Sequence, residues 1–239
     1  MIFALLPPSF ALTVTPVRQE IRVIPGGNTK GSYTVSNETK ESLQIKVSAR
    51  EWFKWKENKD IAMSDWLILS PKKFLLESGE SKKVNYEVKI PTQAVGVLSA
   101  MLSFSPQTKS SEGVVLSVSL YAIVEGTEVI SADIEKTDIQ KKEKNLHISV
   151  TFKNRGNIHL RPEGEVIIIK KKKEIDRFKL RLGRPVYPGK TRTLVGDSKI
   201  GIISGKYRAR ILLYYGDNSL IEKVIPFKIN RKGKLKVKE

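Results

Sequence analysis

The 239-residue sequence contains no cysteine and only two histidines. The absence of cysteine excludes disulfide bonds, thiolate catalysis and cysteine-ligated zinc. His147 and His159 lie in separate segments, and no Asp or Cys spacing around them indicates a metal site. No Ser-His-Asp order, glycine-rich phosphate loop or pair of catalytic carboxylates stands out. We therefore expect a protein that uses no cofactor or metal and that is not an enzyme.

Long apolar segments are also missing, and no stretch reaches the length of a transmembrane helix. Residues 1–11 carry no charged side chain and are mostly apolar. Ser9 and Ala11 place small residues where a signal peptidase requires them, although a basic region before the apolar run is lacking. We expect 1–11 to be the remnant of a signal peptide, and the protein to be exported to the periplasm or cell surface. The alternative is a short disordered N-terminus.

No helical pattern of convincing length appears, whereas strand patterns are frequent. The longest strand signal is V-V-L-S-V-S-L-Y-A-I-V-E at 114–125. Leu116, Val118 and Leu120 fall on one face of this strand, because side chains alternate between the two faces. The β-branched residues and the alternating serines favour a strand over a helix.

Turn residues divide the chain into short strands at fairly regular spacing. About seven strands precede residue 127, which is the number in an immunoglobulin-type sandwich. The same kind of pattern fills 128–229, and a basic tail, expected to be mobile, follows at 230–239. We therefore predict an all-β protein with two tandem immunoglobulin-like β-sandwich domains, 12–127 and 128–229. The linker between them is short, so we expect a restricted angle between the domains.

Positive charge is concentrated in the second half of the chain. Residues 12–127 contain 15 Lys and Arg against 12 Asp and Glu, whereas residues 128–239 contain 28 against 13. The net charges are therefore +3 and +15. The candidates for contact with an anionic surface are Lys170, Lys171, Lys172, Lys173, Arg177, Lys179 and Arg181.

This basic set has simpler explanations, which are a solvated face or an adaptation for solubility or heat. Nucleic acid is not expected as a partner. Aromatic side chains do not interleave with these lysines as single-strand binding requires, and export would separate the protein from nucleic acid.

Several segments of the first half resemble the N-terminal domain of the PapD-like periplasmic pilus chaperones. They are T-P-V-R at 15–18, Y-T-V-S-N at 33–37, E-S-G-E-S-K-K-V at 77–84 and the strand at 114–125. The second half resembles extracellular immunoglobulin-like modules through F-K-N-R-G-N-I-H-L-R-P-E-G-E-V at 152–166. The order of both halves is also similar to Gram-positive surface proteins that bind WxL-type cell-wall partners.

The chaperone resemblance implies a mechanism of subunit capture. In that family an Arg on the first strand and a Lys on the last hold a subunit's C-terminal carboxylate, and the last strand pairs with the subunit edge. Arg18 is the match for the Arg, whereas no basic residue lies in 114–125. The alternating apolar face is formed by Leu116, Val118 and Leu120. The alternative is that these three side chains simply pack in the core of their own domain.

Two functions remain open at this point. The first is a chaperone-like or pilus-assembly protein of the cell envelope that binds a β-rich partner by strand pairing. The alternative is a structural surface protein that binds anionic envelope or cell-wall polymers through the basic second domain.

Overall fold

The structure is a computed structural model that describes residues 12–54, 58, 61–107, 114–181 and 183–237. The signal-peptide remnant expected at 1–11 lies outside the described residues. The chain divides into two compact units, Met1–Glu128 and Val129–Glu239. Strands dominate both units, and a short 3₁₀ helix spans Met63–Trp66. In the part of the chain that is described, no helix has the length and apolar character needed to cross a membrane.

The first unit forms two sheets with the strand orders β1-β3-β7-β5 and β2-β9-β8-β4-β6. Within the described residues its strands are β1 (Leu12–Thr15), β2 (Arg18–Val23), β3 (Asn28–Asn37), β4 (Leu43–Glu51), β5 (Leu67–Ser70), β6 (Lys73–Leu76), β7 (Ser81–Lys89), β8 (Val97–Gln107) and β9 (Leu116–Val124). All neighbours are antiparallel except β2 and β9, which run parallel. Pro16 lies between β1 and β2, where the chain leaves one sheet and joins the other.

The core of the first unit is built from alternate residues of both sheets. Tyr33 is buried at its centre, with its ring centroid 5.8 Å from that of Tyr86 and 6.3 Å from that of Phe104. The Tyr33 hydroxyl donates to the main-chain oxygen of Ser119 at 3.2 Å, and the Tyr86 hydroxyl to Gln19 Oε1 at 2.6 Å. Burial raises the pKa of both tyrosines, so both remain neutral donors.

The second unit also forms two sheets, with the orders β10-β11-β14 and β13-β12-β15-β16-β17. Its strands in the described residues are β10 (Ala132–Lys142), β11 (Asn145–Asn154), β12 (Glu163–Lys170), β13 (Lys173–Leu180), β14 (Thr191–Asp197), β15 (Gly205–Tyr215), β16 (Asn218–Ile229) and β17 (Leu235–Val237). Alternate apolar residues of β11, β12 and β15 are fully or almost fully buried. The prediction of an all-β chain with two tandem immunoglobulin-like sandwiches is confirmed.

Two details differ from the sequence-based expectations. Among the described residues the longest strand is β16, with 12 residues, and β9 spans only nine. The tail that we expected to be mobile forms β17, which pairs with β16 through Leu235 opposite Ile229 and Val237 opposite Phe227. The tail is ordered here because apolar residues alternate with its lysines, which is the pattern of a strand at a sheet edge.

A buried asparagine ends one core strand in each unit. Asn37 ends β3 and Asn154 ends β11, and both side chains are almost completely inaccessible to solvent. Asn37 Nδ2 donates to the main-chain oxygens of Glu41 at 2.8 Å, Leu76 at 3.0 Å and Glu77 at 3.1 Å. The amide therefore satisfies main-chain carbonyl groups of two separate segments, one of them in the buried interior.

The second unit repeats this arrangement with different surrounding residues. Asn154 Nδ2 donates to the main-chain oxygens of Ile158 at 2.7 Å and Val186 at 2.8 Å. The main-chain oxygen of Asn154 accepts a hydrogen bond from the N–H of Gly189. In the first unit, the main-chain oxygen of Asn37 accepts one from the N–H of Gly79. Both glycines have φ angles of 70° to 74°, which glycine adopts without steric cost. The two units thus close the same loop with the same chemistry.

Candidate strand-pairing edge and basic surface

Strand β9 lies inside its sheet, between β8 and β2, rather than at the edge. However, β2 covers only part of it. Their pairing begins with Arg18 opposite Ser119 and continues to Val23 opposite Val124. In the described residues, no strand pairs with β9 on this side before Ser119. We use the name open edge of β9 for this side of residues 116–118, together with Val114 and Val115, which directly precede the strand.

Solvent exposure increases along one face of β9 towards the open edge. Leu120 is 0% exposed and Val118 is 3% exposed, so both belong to the core of this unit. Leu116 is partly buried against that core, and Val114 is 54% exposed. The side chains predicted to contact a partner therefore do not share one environment. Leu116 is accessible, whereas Val118 and Leu120 are already occupied in the interior.

The main chain of the open edge directs hydrogen-bonding groups away from β8. The N–H of Ser119 donates to the main-chain oxygen of Val17 at 3.3 Å, on the side where β2 begins. Since residues two apart in a strand direct their N–H and C=O groups to the same side, those of Ser117 face the open edge. The Ser117 side chain is exposed and lies 3.1 Å from the Ser103 hydroxyl on β8.

Arg18, the predicted carboxylate anchor, is the first residue of β2 and has an exposed side chain. Arg22 lies on the same strand and binds Glu128 Oε1 through Nη1 at 2.5 Å. A main-chain hydrogen bond lowers the pKa of Glu128, and the bond from Arg22 acts in the same direction. Arg22 is not among the residues predicted for the site, although the spacing R-Q-E-I-R places both arginines on one strand face. Arg22 already has a carboxylate partner.

The predicted basic residues of the second unit fall into two groups, and the first is the β12–β13 hairpin end. Lys170 is opposite Lys173, and Lys171 and Lys172 form the two-residue turn. Lys170 Nζ donates to the Tyr207 hydroxyl at 3.0 Å and lies 4.9 Å from the centroid of that ring. Lys170 is therefore held against the protein, whereas the side chains of the other three lysines are exposed.

The second group, Arg177, Lys179 and Arg181, follows the exposed side of β13. Arg177 is already neutralised, because Nη2 binds Glu174 Oε2 at 2.8 Å and Nη1 binds Glu165 Oε1 at 2.7 Å. The hydrogen bonds to Glu174 and Glu165 raise the pKa of Arg177. Lys179 and Arg181 line a groove with Glu165. The seven predicted residues therefore do not form one continuous cationic patch.

Metal-ligating groups are dispersed over the described residues. No three His, Asp or Glu side chains in this part of the chain are placed to share an ion. His147 Nδ1 lies 2.8 Å from Asp197 Oδ1 on the outer face of a sheet, whereas His159 is buried. Both histidines thus have separate local environments.

No protein-family model and no curated protein matches the chain. Solved structures do match it. The class 5 fimbriae chaperone CfaA aligns with a TM-score of 0.52 and 17% identity, over 96% of this chain and 100% of CfaA. A chain from a chaperone–tip adhesin complex of CFA/I fimbriae aligns with a TM-score of 0.49 and 12% identity, over 95% and 98% of the two chains. The E. coli chaperone DraB aligns with a TM-score of 0.44 and 12% identity, over 90% of this chain and 95% of DraB. The alignment with CfaA shows that the protein has the two-domain fold of the PapD-like fimbrial chaperones.

Proposed function

We propose that this protein is an exported, non-enzymatic chaperone-like or assembly protein that binds a β-rich partner by strand pairing at the open edge of β9. One observation carries the proposal. An apolar row leaves the protein's own core at Val118 and reaches solvent at Val114, on a strand edge that β2 leaves uncovered. The likeness of the fold to CfaA, which is described as a fimbriae chaperone, supports the same function.

The geometry of the edge defines the expected complex. A partner strand would bond to the main-chain groups of Ser117, while Val114 and Leu116 would enter the partner's core. If the partner strand ran parallel to β9, as β2 does, its C-terminal end would point towards Arg18. Arg18 would then bind the terminal carboxylate of that strand, because an exposed guanidinium matches a carboxylate in charge and geometry.

The proposal is tested by changing the main chain of the edge. Ser117→Pro removes the N–H on the open side, and proline is tolerated at a strand edge where no ladder bond is lost. We expect the wild type to capture a specific protein from envelope extract at high salt, and Ser117→Pro to capture at least about ten-fold less. The measurement is quantitative mass spectrometry of the captured proteins.

Ser117→Ala is the matched control, because it removes the hydroxyl and keeps the N–H. It should capture the partner as the wild type does. Val118→Asp is unsuitable, because a charge at this core position would unfold the unit. Val114→Asp changes an exposed position instead and should reduce capture. Equal capture by the wild type, Ser117→Pro and Val114→Asp would contradict strand pairing at this edge.

A further inference from the structure

One end of the second unit is basic on four neighbouring segments, and we call it the basic end. These segments are the β10–β11 turn, the β12–β13 turn, the loop from β14 to β15 and the turn from β16 to β17. Their cations are Lys141, Lys142, Lys144, Lys170, Lys171, Lys172, Lys173, Lys199, Lys206, Arg231, Lys232 and Lys234.

Contacts between these segments show that they form one surface. The N–H of Ile202 donates to the main-chain oxygen of Lys144 at 2.7 Å, which joins the loop to the β10–β11 turn. Lys141, Lys144, Ile203 and Arg231 line the same groove. This groove therefore joins the β14–β15 loop to the turns before β11 and β17.

The β12–β13 turn is connected to the same loop through an aromatic side chain. The Tyr207 hydroxyl donates to the main-chain oxygen of Ile203 at 2.8 Å and accepts a bond from Lys170 Nζ at 3.0 Å. All four basic segments therefore lie around residues 198–204.

Few carboxylates reduce this charge. Glu174 is bonded to Arg177, and Asp176 Oδ2 accepts bonds from the main-chain N–H groups of Lys199 and Ile200. Glu143 is the acidic residue of the β10–β11 turn, where lysines precede and follow it. The basic end is therefore cationic after its local pairs are taken into account.

Two isoleucines project from the centre of this cationic surface. Ile203 is 71% exposed and Ile200 is 41% exposed. Hydrogen bonds fix the loop at both isoleucines. The Ser198 hydroxyl donates to the main-chain oxygen of Ile200 at 3.0 Å, and the Tyr207 hydroxyl donates to the main-chain oxygen of Ile203. Exposed aliphatic groups fixed among lysines suit a partner that has both anionic groups and an apolar layer.

We propose that the basic end binds the surface of an anionic lipid bilayer. The lysines and Arg231 would contact lipid phosphates, and Ile200 and Ile203 would enter the boundary between head groups and acyl chains. A soluble polyanion would satisfy the lysines but would offer no apolar environment to the isoleucines. This surface goes beyond the proposed partner binding, because it includes no residue of the β9 edge.

The test compares the full chain with an Ile203→Ser variant in sedimentation with lipid vesicles. We expect binding to phosphatidylcholine vesicles that contain phosphatidylglycerol, and no binding to phosphatidylcholine alone. Ile203→Ser should weaken binding about five-fold to ten-fold, because the aliphatic side chain no longer enters the bilayer. Retention on a dextran sulfate resin should not change, because the charge is the same.

Charge variants test the second half of the proposal. Neutralising Lys144, Lys171 and Arg231 together to Gln should weaken vesicle binding by about five-fold per residue, and added salt should weaken it further. Ile68→Ser and Lys190→Gln change an exposed aliphatic and an exposed lysine elsewhere in the chain, and should have no effect. Failure of the wild type to bind anionic vesicles would overturn the proposal. An Ile203→Ser variant that binds vesicles like the wild type would also overturn it, and would indicate a general polyanion site.

Discussion

Single buried side chains hold the ends of core strands against distant loops in both units. The two asparagines, Asn37 and Asn154, each bind carbonyl groups of separate segments that are distant in sequence. Their sequence signal is weak, since Y-T-V-S-N and T-F-K-N only indicate a strand followed by a turn. The structure adds that the amide faces inward, and this depends on loops that meet the strand only after folding.

We expect Asn37→Ala and Asn154→Ala each to reduce the free energy of unfolding by about 2–4 kcal/mol, because buried carbonyl groups lose their donors. Chemical denaturation followed by circular dichroism would measure this loss. Asn85→Ala is the control, because Asn85 is exposed on the outer side of β7, and it should change the free energy by less than about 0.5 kcal/mol. A loss of similar size in all three variants would show that these hydrogen bonds are not the cause.

For individual strands, the sequence predicted which side chains share a face better than it predicted which strands pair with each other. Alternation correctly placed Leu116, Val118 and Leu120 on one apolar face of a strand. It could not indicate that β2 pairs with β9 from Ser119 onwards, because strand pairing depends on residues about one hundred positions away. The division of this face into a buried part and an open part therefore appears only in the folded unit.

The basic hairpin illustrates the same limit. The four consecutive lysines at 170–173 lie at a hairpin end, with a two-residue turn in the middle. These lysines and Arg177 were predicted to act together, because all of them are basic and near in sequence. In the sheet, Arg177 is instead paired with Glu165 on the neighbouring strand and Glu174 on its own. Charge pairing between strands is not visible from composition or spacing along the chain.

The turn itself leads to a prediction about stability. Lys171 and Lys172 have φ angles of 47° and 66°, a conformation that favours Asn and Gly. We expect the double change Lys171→Asn and Lys172→Gly to raise the free energy of unfolding by about 1 kcal/mol. Thermal unfolding by calorimetry would measure the gain. Lys173→Asn, outside the turn, is the control and should not increase stability. A double variant with unchanged or lower stability would contradict this explanation of the turn.

At the scale of the whole molecule, the two units differ most in charge. When Glu128 is assigned to the first unit, as the structure requires, the net charges are +2 for Met1–Glu128 and +16 for Val129–Glu239. The second unit carries this charge on a core of ordinary size, so repulsion between its cations opposes its folding. The charge is concentrated where we propose contact with an anionic bilayer.

This difference predicts that salt affects the two units unequally. Raising sodium chloride from low to physiological concentration screens repulsion among surface charges, and it should raise the unfolding temperature of the second unit by about 4–8 °C for each 1 kcal/mol gained. The first unit should change little.

All three tryptophans, at positions 52, 55 and 66, belong to the first unit, so tryptophan fluorescence follows its unfolding alone. Far-ultraviolet circular dichroism follows both units. Equal shifts by both methods would mean that the charge of the second unit does not limit its stability, and that its lysines are ordinary solvated groups.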